Sequence, residues 1–583
     1  MIDKSEASFV QSLCMGQILE EMIVPFPEVK KAEKETLEQV LAAVNQLLAG
    51  REKEFREWDV KGEMPASFID ELKSFGLFGL IVPEEFGGMG FGTMAYSRVL
   101  QEISRHDGSV ALTVGAHSSI GMRGLLLFGS DEQKRRWLPK LATGEMIAAF
   151  CLTEAGAGSD AAAVRTSAVR DGNDWILNGE KLWITNGGIA QFYTVFAKTP
   201  APGDGGKAQM TAFVVTSDLP GVSHGPHEDK MGIRASNTTT VRFEDVRLTG
   251  DHVLGGVGKG FKAAMKILNS GRTGLGGGCV GGMKALLSLA TKQAKERKQF
   301  GRPISDFGLI KQKVGQLTVD AYAAESVVTM VSGLIDQGYQ DYAVEAAISK
   351  VFATEALWRS ADEALQIAGG NGYMREYPYE KVVRDARINR IFEGTNDILR
   401  LFIALSAVNR AAAQLKDVAS SMKEVLHDPI KGFGVLSDYA LKQASIRTGL
   451  VGEKRGFTLL HPSLKSHAEQ FEEQSREAAW AADRLLRRHG KAIVDKQFAL
   501  RRLADILIDL FVLAATLARV HAAVEAKGEA GAAQELEIVR VLARDVRSRV
   551  RGNLRRMDVN EDETVKSLAD AAFEREGFGW DVL

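Results

Sequence analysis

Cysteine is scarce in this chain. Cys14, Cys151 and Cys279 are its three cysteines, and they stand far apart. They make neither a disulfide framework nor a metal-ligand spacing, which excludes a metal centre built on thiolates and points to a reducing compartment. An excess of one charge is also missing: 73 basic and 75 acidic residues leave a net charge of −2. That removes any electrostatic case for nucleic acid as a bulk partner. Long uninterrupted apolar runs are absent too. The most apolar stretch, Leu503 to Val520, is broken by Asp505 and Asp509, and charges near the middle of a membrane span are costly. It reads as a buried bundle helix. Residues 1–22 are acidic and lack a continuous apolar core, so they are not a secretion signal. They are too acidic for a transit peptide, although a mature form freed of its presequence would look the same.

What is present is ordinary for a large soluble protein. Apolar residues make up 45% and charged residues 25% of 583, which suggests about four domains or layers. An N-terminal extension, 1–29, precedes a helical region, 30–150. There Leu37, Val40, Leu41 and Val44 recur at helical spacing. From 151 to 258 the pattern changes to short alternating segments, including DWILNGEKLWITNG and TTTVRFEDVRL, punctuated by Asn-Gly, Asp-Gly and Pro-Gly. Such segments predict an all-β module. Helical pattern with few prolines resumes over 259–412. A connector, 413–461, leads to a C-terminal helical region, 462–583. The fold class is mainly α with a central β module.

Five constellations carry chemistry. In IFEGTNDILR, Glu393 stands beside Phe392 and Gly394. An apolar wall raises a carboxyl pKa by desolvation, which suits a general base near neutral pH. A helix-start charge favoured by the dipole is an equal reading on this segment alone. FCLTEAGAGSD, from Phe150 to Asp160, is rich in small residues that let backbone amides approach a ligand, with Thr153 and Ser159 adding hydroxyls. A surface turn is the alternative. EKLWITNGG offers Trp183 as a flat wall and Thr185 two residues on, on the same face of a strand. A core tryptophan is the alternative. QIAGGNGYMREYPYEKVVRDAR begins with a glycine cluster that interrupts a helix, and ERKQFGRP ends another helix with Arg297 and Phe300, a pair suited to a diphosphate and a stacked base. Gly276, Gly278 and Gly281 fit G-x-G-x-x-G, but the preceding residues read as helix and not as strand, so a dinucleotide fingerprint is rejected in favour of close helix packing.

Together these residues resemble the acyl-CoA dehydrogenase family. CLTEAGAGSDAAA matches its first signature. Gln366 to Asp385 is similar to its second, with Gly369, Gly370, Gly372, Glu376, Lys381 and Asp385 at the expected spacings. KMGIRASNTTTVRFEDVRL resembles a further segment. The N-terminal SFVQSLCMGQILEEMIVPFP and the C-terminal extension resemble the very-long-chain branch, as do ILNSGR and IFEGTNDILR.

The resemblance implies a helical domain, a β-barrel domain and a second helical bundle, with FAD bound between them. By motif position, Phe150, Leu152, Thr153 and Ser159 are expected to line the flavin and its chain. Trp183 would cover the ring, with Thr185 near N5. Arg297, Phe300, Gln366 and Gly370 would reach the FAD of a second subunit, and Thr395, Asn396 and Asp397 would meet the cofactor from the other side. Ser159, Asn269, Arg272 and Gly394 would face the fatty acyl-CoA. Glu393 would take the α-proton of the thioester while a hydride leaves Cβ for the flavin. Its backbone N–H and a flavin hydroxyl would polarise the carbonyl. Some family members carry the base on an earlier helix; that location falls here at Asn269 to Arg272, which has no carboxylate. The implied acceptor is an electron-transfer flavoprotein and the implied assembly a homodimer. An oxidase using O₂, or a non-catalytic scaffold keeping the fold, is the alternative. Residues 430–457 place apolar side chains among Lys and Arg, as a peripheral membrane segment would, or as a mobile basic loop would. The expected location is the cytoplasm, at the inner membrane in a bacterium, or the matrix side of the inner mitochondrial membrane for a processed eukaryotic protein.

Overall fold

The structure is a computed structural model. It describes residues 4–200, 208–424 and 456–582, with 412–424 as backbone only. Apart from its last two positions, the proposed membrane segment 430–457 lies outside the described residues. The chain divides into two compact units. The first holds residues 1–6 and 26–398, the second 7–25 and 399–583. Helix α1, Phe9–Leu13, belongs to the second.

The first unit opens with α2 (Lys31–Leu48), α3 (Glu52–Lys61), α4 (Ala66–Ser74), α5 (Thr93–His106), α6 (Gly108–Ala116), α7 (Arg123–Phe128) and α8 (Asp131–Thr143). The periodicity expected in α2 is borne out: Leu37 and Val44 are buried, and Val40 and Leu41 pack partly buried against the same core. Local signals set the helix ends. Ser130 and Gln133 form a capping box at the start of α8, and Gly144 ends it at φ 75°, a conformation open to glycine without a Cβ clash. Asp107 caps α6 by accepting from the amides of Ser109 and Val110 at 2.8 and 3.0 Å. Between α6 and α7, residues His117–Gly121 form a π-helical turn, a widening that recurs at functional sites.

The middle region is a β module as expected. Its strands are β1 (Ala148–Cys151), β2 (Ser167–Asp171), β3 (Asp174–Thr185), β4 (Phe192–Thr199), β5 (Gln209–Thr216), β6 (Val222–His224), β7 (Thr238–Leu248) and β8 (Val253–Leu254). Their order is β6-β7-β3-β2-β4-β5-β8, and β1 pairs with β4 in parallel. Alternation in β7 buries Val241 and Phe243 and exposes Arg242 and Glu244, as period two requires. The expected barrel is corrected: among the described residues the sheet does not close. Its two edges, β6 and β8, are three and two residues long and do not pair, and closure needs edge strands that share a staggered ladder.

Long helices follow: α9 (Gly260–Glu296), α10 (Gly308–Asp336), α11 (Ala343–Ala368), α12 (Gly370–Tyr373), α13 (Tyr379–Arg387) and α14 (Asn396–Glu424). The G-x-G-x-x-G triplet lies inside α9, so the rejected dinucleotide site is absent there. A Cβ on Gly281 would sit 2.1 Å from the Gln101 carbonyl of α5, and one on Gly277 2.9 Å from that of Ser97. Close helix packing demands both glycines. Arg297 and Phe300 do not lie on the helix. They follow it, in a hairpin of β9 (Lys298–Gln299) and β10 (Arg302–Pro303).

In the second unit, helices Lys465–His489, Gln497–Gly531, Ala533–Asp558 and Asp562–Arg575 pack together with the N-terminal segment. Phe9 is fully buried, its ring centroid 6.5 Å from Phe471 and 6.0 Å from Phe511. The Glu20 carboxylate accepts from the amides of Thr458 and Leu459 at 2.7 and 2.8 Å. Asp505 and Asp509 are satisfied by Arg400 and Arg549 at 2.7 and 2.8 Å, so the apolar stretch is a buried bundle helix.

Candidate active site

Glu393 sits in a tight turn between the short 3-10 segment Ile388–Arg390 and α14. Its φ is 59° and that of Gly394 is 91°. A non-glycine residue in the left-handed region is strained, and such strain persists where the surroundings enforce it. Two cations do so here. The Arg272 guanidinium donates through Nε to the Glu393 carbonyl at 3.1 Å, and the Lys350 ammonium donates to the Gly394 carbonyl at 2.8 Å. Neither bonds the carboxylate, whose Oε2 is buried without a hydrogen-bond partner. Burial therefore pushes the Glu393 carboxyl up to about 7, against the downward pull of Arg272 and Lys350. The helix-start reading fails on position: Glu393 precedes α14, and Asp397 is the acid of its first turn. The earlier-helix location faces the same spot, since a Cβ on Gly271 would lie 2.8 Å from Glu393 Oε2. Asn269 there accepts from Arg272 Nη1 at 2.7 Å.

Glu393 borders a cavity of about 700 Å³, which Thr185, Ile120, Gly271, Gly278 and Leu286 also line. Ile120 comes from the π-helical turn. Trp183 is 63% exposed with φ 56°. The β3–β7 register shifts between Lys181 and Ile184, so Trp183 lies in a bulge, and Ile184 is buried between the less buried Trp183 and Thr185. Bulges re-aim side chains beside sites. An exposed indole on a strained strand residue excludes the core-tryptophan reading.

The Phe150–Asp160 segment leaves the sheet at β1. Phe150 packs against Phe196 with centroids 5.0 Å apart, and Leu152 is buried. Thr153 accepts through its carbonyl from Leu182 N at 2.9 Å, and Ser159 is exposed. Nothing lies within 4 Å of a Cβ built on Gly156 or Gly158, so this loop has room for a ligand. What holds it is a pair missed in the sequence. Lys181, fully buried on β3, donates to Glu154 Oε1 at 2.7 Å and to the Leu152 carbonyl at 3.1 Å. Glu154 also accepts from the amides of Arg165 and Thr166 at 2.6 and 3.1 Å. A carboxylate in a glycine loop and a lysine in an alternating strand were the available signals.

The remaining expected residues spread out. Arg297, Phe300, Gln366 and Gly370 are exposed, Phe300 by 93% at the hairpin turn. The last residue of α9, Glu296, is 24 residues beyond Arg272, roughly 36 Å at the helical rise, and Arg297 follows it. Arg297 and the hairpin after it therefore stand well away from Glu393 in the first unit. Nothing lies within 4 Å of a Cβ on Gly369 or Gly370. Thr395 Oγ1 accepts from Ile398 N at 3.3 Å, and Asp397 is exposed. Asn396 is buried with its amide fully engaged: Oδ1 accepts from Lys350 at 2.7 Å, and Nδ2 donates to Thr354 and Glu355 at 3.0 Å each.

Comparison with known proteins agrees with this architecture. Family models describing the acyl-CoA dehydrogenase N-terminal, middle and C-terminal domains match residues 34–145, 149–246 and 258–408. A model of the ACAD9/ACADV C-terminal domain matches 462–578. The chain is 44% identical over 518 residues to the mitochondrial very long-chain specific acyl-CoA dehydrogenase of Macaca fascicularis, covering 88% of this chain and 78% of that one. The bovine counterpart is 40% identical over 581 residues, covering 98% and 88%. A crystal structure of an acyl-CoA dehydrogenase complexed with FAD from Bacillus anthracis superposes with TM-score 0.79 at 30% identity, over 94% of this chain and 91% of that one. The chain belongs to the acyl-CoA dehydrogenase family.

Proposed function

We propose that this oxidoreductase dehydrogenates long- or very-long-chain fatty acyl-CoA to the 2-enoyl thioester, with FAD as cofactor and Glu393 as the base. The observation that supports this most is the buried Glu393 carboxylate beside the cavity, with an oxygen that no protein group bonds. A base must be free to accept, and burial raises the Glu393 carboxyl to about 7, close to neutral pH. Glycines with open space at 156, 158, 369 and 370, and the exposed Trp183 and Phe300, fit a large flat cofactor with a phosphate chain. Phe150, Leu152, Thr153, Ser159, Trp183 and Thr185 would hold it, with Arg297, Phe300, Gln366 and Gly370 serving a second copy. When bound, FAD supplies the two-electron oxidant for the Cβ hydride.

The lining of α9 supports a long chain. Gly271 abuts Glu393, and Gly274, Gly278, Gly282, Leu286 and Leu289 continue along the same cavity. From Gly271 to Leu289 is eighteen residues, about 27 Å. An extended chain advancing about 1.25 Å per carbon, from ordinary C–C geometry, would place roughly twenty carbons there. Electrons would pass to an electron-transfer flavoprotein, in a homodimer. A series of acyl-CoA lengths, with O₂ and that flavoprotein compared as acceptors, tests the reading. Turnover that peaks at long chains and needs the flavoprotein is expected; peroxide formed at the rate of turnover would overturn the acceptor.

A further inference from the structure

Lys350 lies on α11 and is fully buried. Burying an ammonium costs several kcal/mol unless partners compensate, and a neutral donor would satisfy a carbonyl more cheaply. Its placement suggests why a charge is kept. The Lys350 ammonium donates to the Gly394 carbonyl at 2.8 Å and to Asn396 Oδ1 at 2.7 Å. Asn396 is locked in turn by Thr354 and Glu355 on α11, and Glu355 pairs with Arg390 at 3.3 Å. The left-handed turn of Glu393 and Gly394 is thus held from one side by Arg272 and from the other by Lys350.

We infer that Lys350 is a positioning residue for the reaction: it pins the Glu393–Gly394 turn through the Gly394 carbonyl and supports the Glu393 carboxylate through space. The inference rests on Glu393 being the base. Binding the carbonyl and not the carboxylate matters, because a direct ion pair would hold the base ionised and weaken it. The charged and titratable groups that face Lys350 are Glu393, Cys279 and Arg272 from across the cavity wall, and Glu355 on its own helix. Burial pulls the Lys350 ammonium down, to about 7, against the upward push of the Glu393 charge, so each group feels the other's charge.

Lys350→Met keeps the apolar stem and removes the donor and the charge. With FAD-loaded protein, the limiting rate of flavin reduction by acyl-CoA should fall by about 100-fold, while affinity for a non-reducible acyl-CoA thioether is unchanged. The ascending, acidic limb of the rate–pH profile should move to higher pH, since a positive charge near the base is gone. Difference infrared titration, each protein minus its Glu393→Gln counterpart and without substrate, should show Glu393 titrating at higher pH in Lys350→Met. A loss of rate that only tracks flavin content, with the Glu393 titration unmoved, would overturn the inference. If Lys350→Met does not fold, Lys350→Gln decides. It should recover part of the rate by donating to Gly394 yet keep the displaced titration, and a wild-type titration would overturn the inference. A normal rate in Glu393→Gln would instead sink the base assignment, whatever the infrared shows for Lys350.

Discussion

At the scale of single residues, the site is a contest between burial and nearby charge. Burial wins at Glu393, whose carboxyl is pushed from 4.5 to about 7. That has a thermodynamic sign. The folded state holds its proton more tightly than the unfolded chain, so Glu393 contributes no penalty below pH 4.5. Its contribution is lost as pH rises through about 7, leaving a cost of up to about 3 kcal/mol. Glu393→Gln should therefore melt higher than the parent at pH 8, with the gain fading toward pH 4.5. Equal melting at both pH values would refute the buried-carboxylate account. The same balance at Glu154 runs the other way: Lys181 and the Arg165 amide hold its carboxyl below the usual range despite burial. Lys181→Met should leave that loop carboxylate buried and uncompensated, costing about 3–5 kcal/mol, measurable by denaturant unfolding together with weakened FAD retention.

Some of this was legible residue by residue and some was not. Glu393 stood out because a carboxylate between Phe392 and Gly394 has few packing reasons to be there. Lys350 did not, since one lysine in an otherwise ordinary helix carries no local signal. Its role depends on α11 crossing behind a turn whose Gly394 lies 44 positions later. The bulge at Lys181 to Ile184 that carries Trp183 was not legible. Bulges leave little trace in a hydrophobic pattern.

At the scale of elements, α9 organises the candidate site. Its glycines divide into two kinds. Gly277 and Gly281 meet the backbone of α5, whereas Gly278 has only Ser104 near a would-be Cβ, at 3.7 Å, and lines the cavity. Gly281→Ala should destabilise the fold by about 1–3 kcal/mol through overpacking. Gly278→Leu should leave stability nearly intact, since leaving glycine favours a helix by up to about 1 kcal/mol, but should block the channel. Gly278 is seven residues from Gly271, about 10 Å or roughly eight carbons along the chain. The variant should keep activity on short acyl-CoA and lose it on long. Uniform loss at every length would mean the chain does not follow α9. The helix and the longer strands are readable from the sequence, because α9 has no proline, β3 and β7 alternate over many residues, and β4 and β5 are short, almost continuously buried runs. β6, β8 and the open edges were not, since two- and three-residue strands exist only through their partners.

At the scale of the whole molecule, sequence order and spatial grouping part company. The N-terminal segment reads as a separate extension, yet Phe9, Met22 and Glu20 belong with helices more than 430 residues later. Apolar spacing in a short segment shows that it is buried, not against what. Phe9→Ala should lower the unfolding midpoint of the second unit by removing a buried ring worth about 3–5 kcal/mol, and should leave flavin reduction by acyl-CoA untouched. Limited proteolysis with flavin absorbance separates the two effects.

The central claim is that Glu393 removes the substrate's α-proton. Stopped-flow mixing of FAD-loaded Glu393→Gln with a long-chain acyl-CoA tests it most directly. The account predicts a yellow protein that binds the thioester and shows almost no bleaching of the flavin, while the parent bleaches at a rate that rises with pH through about 7. Bleaching of the variant at the parent's rate would contradict it.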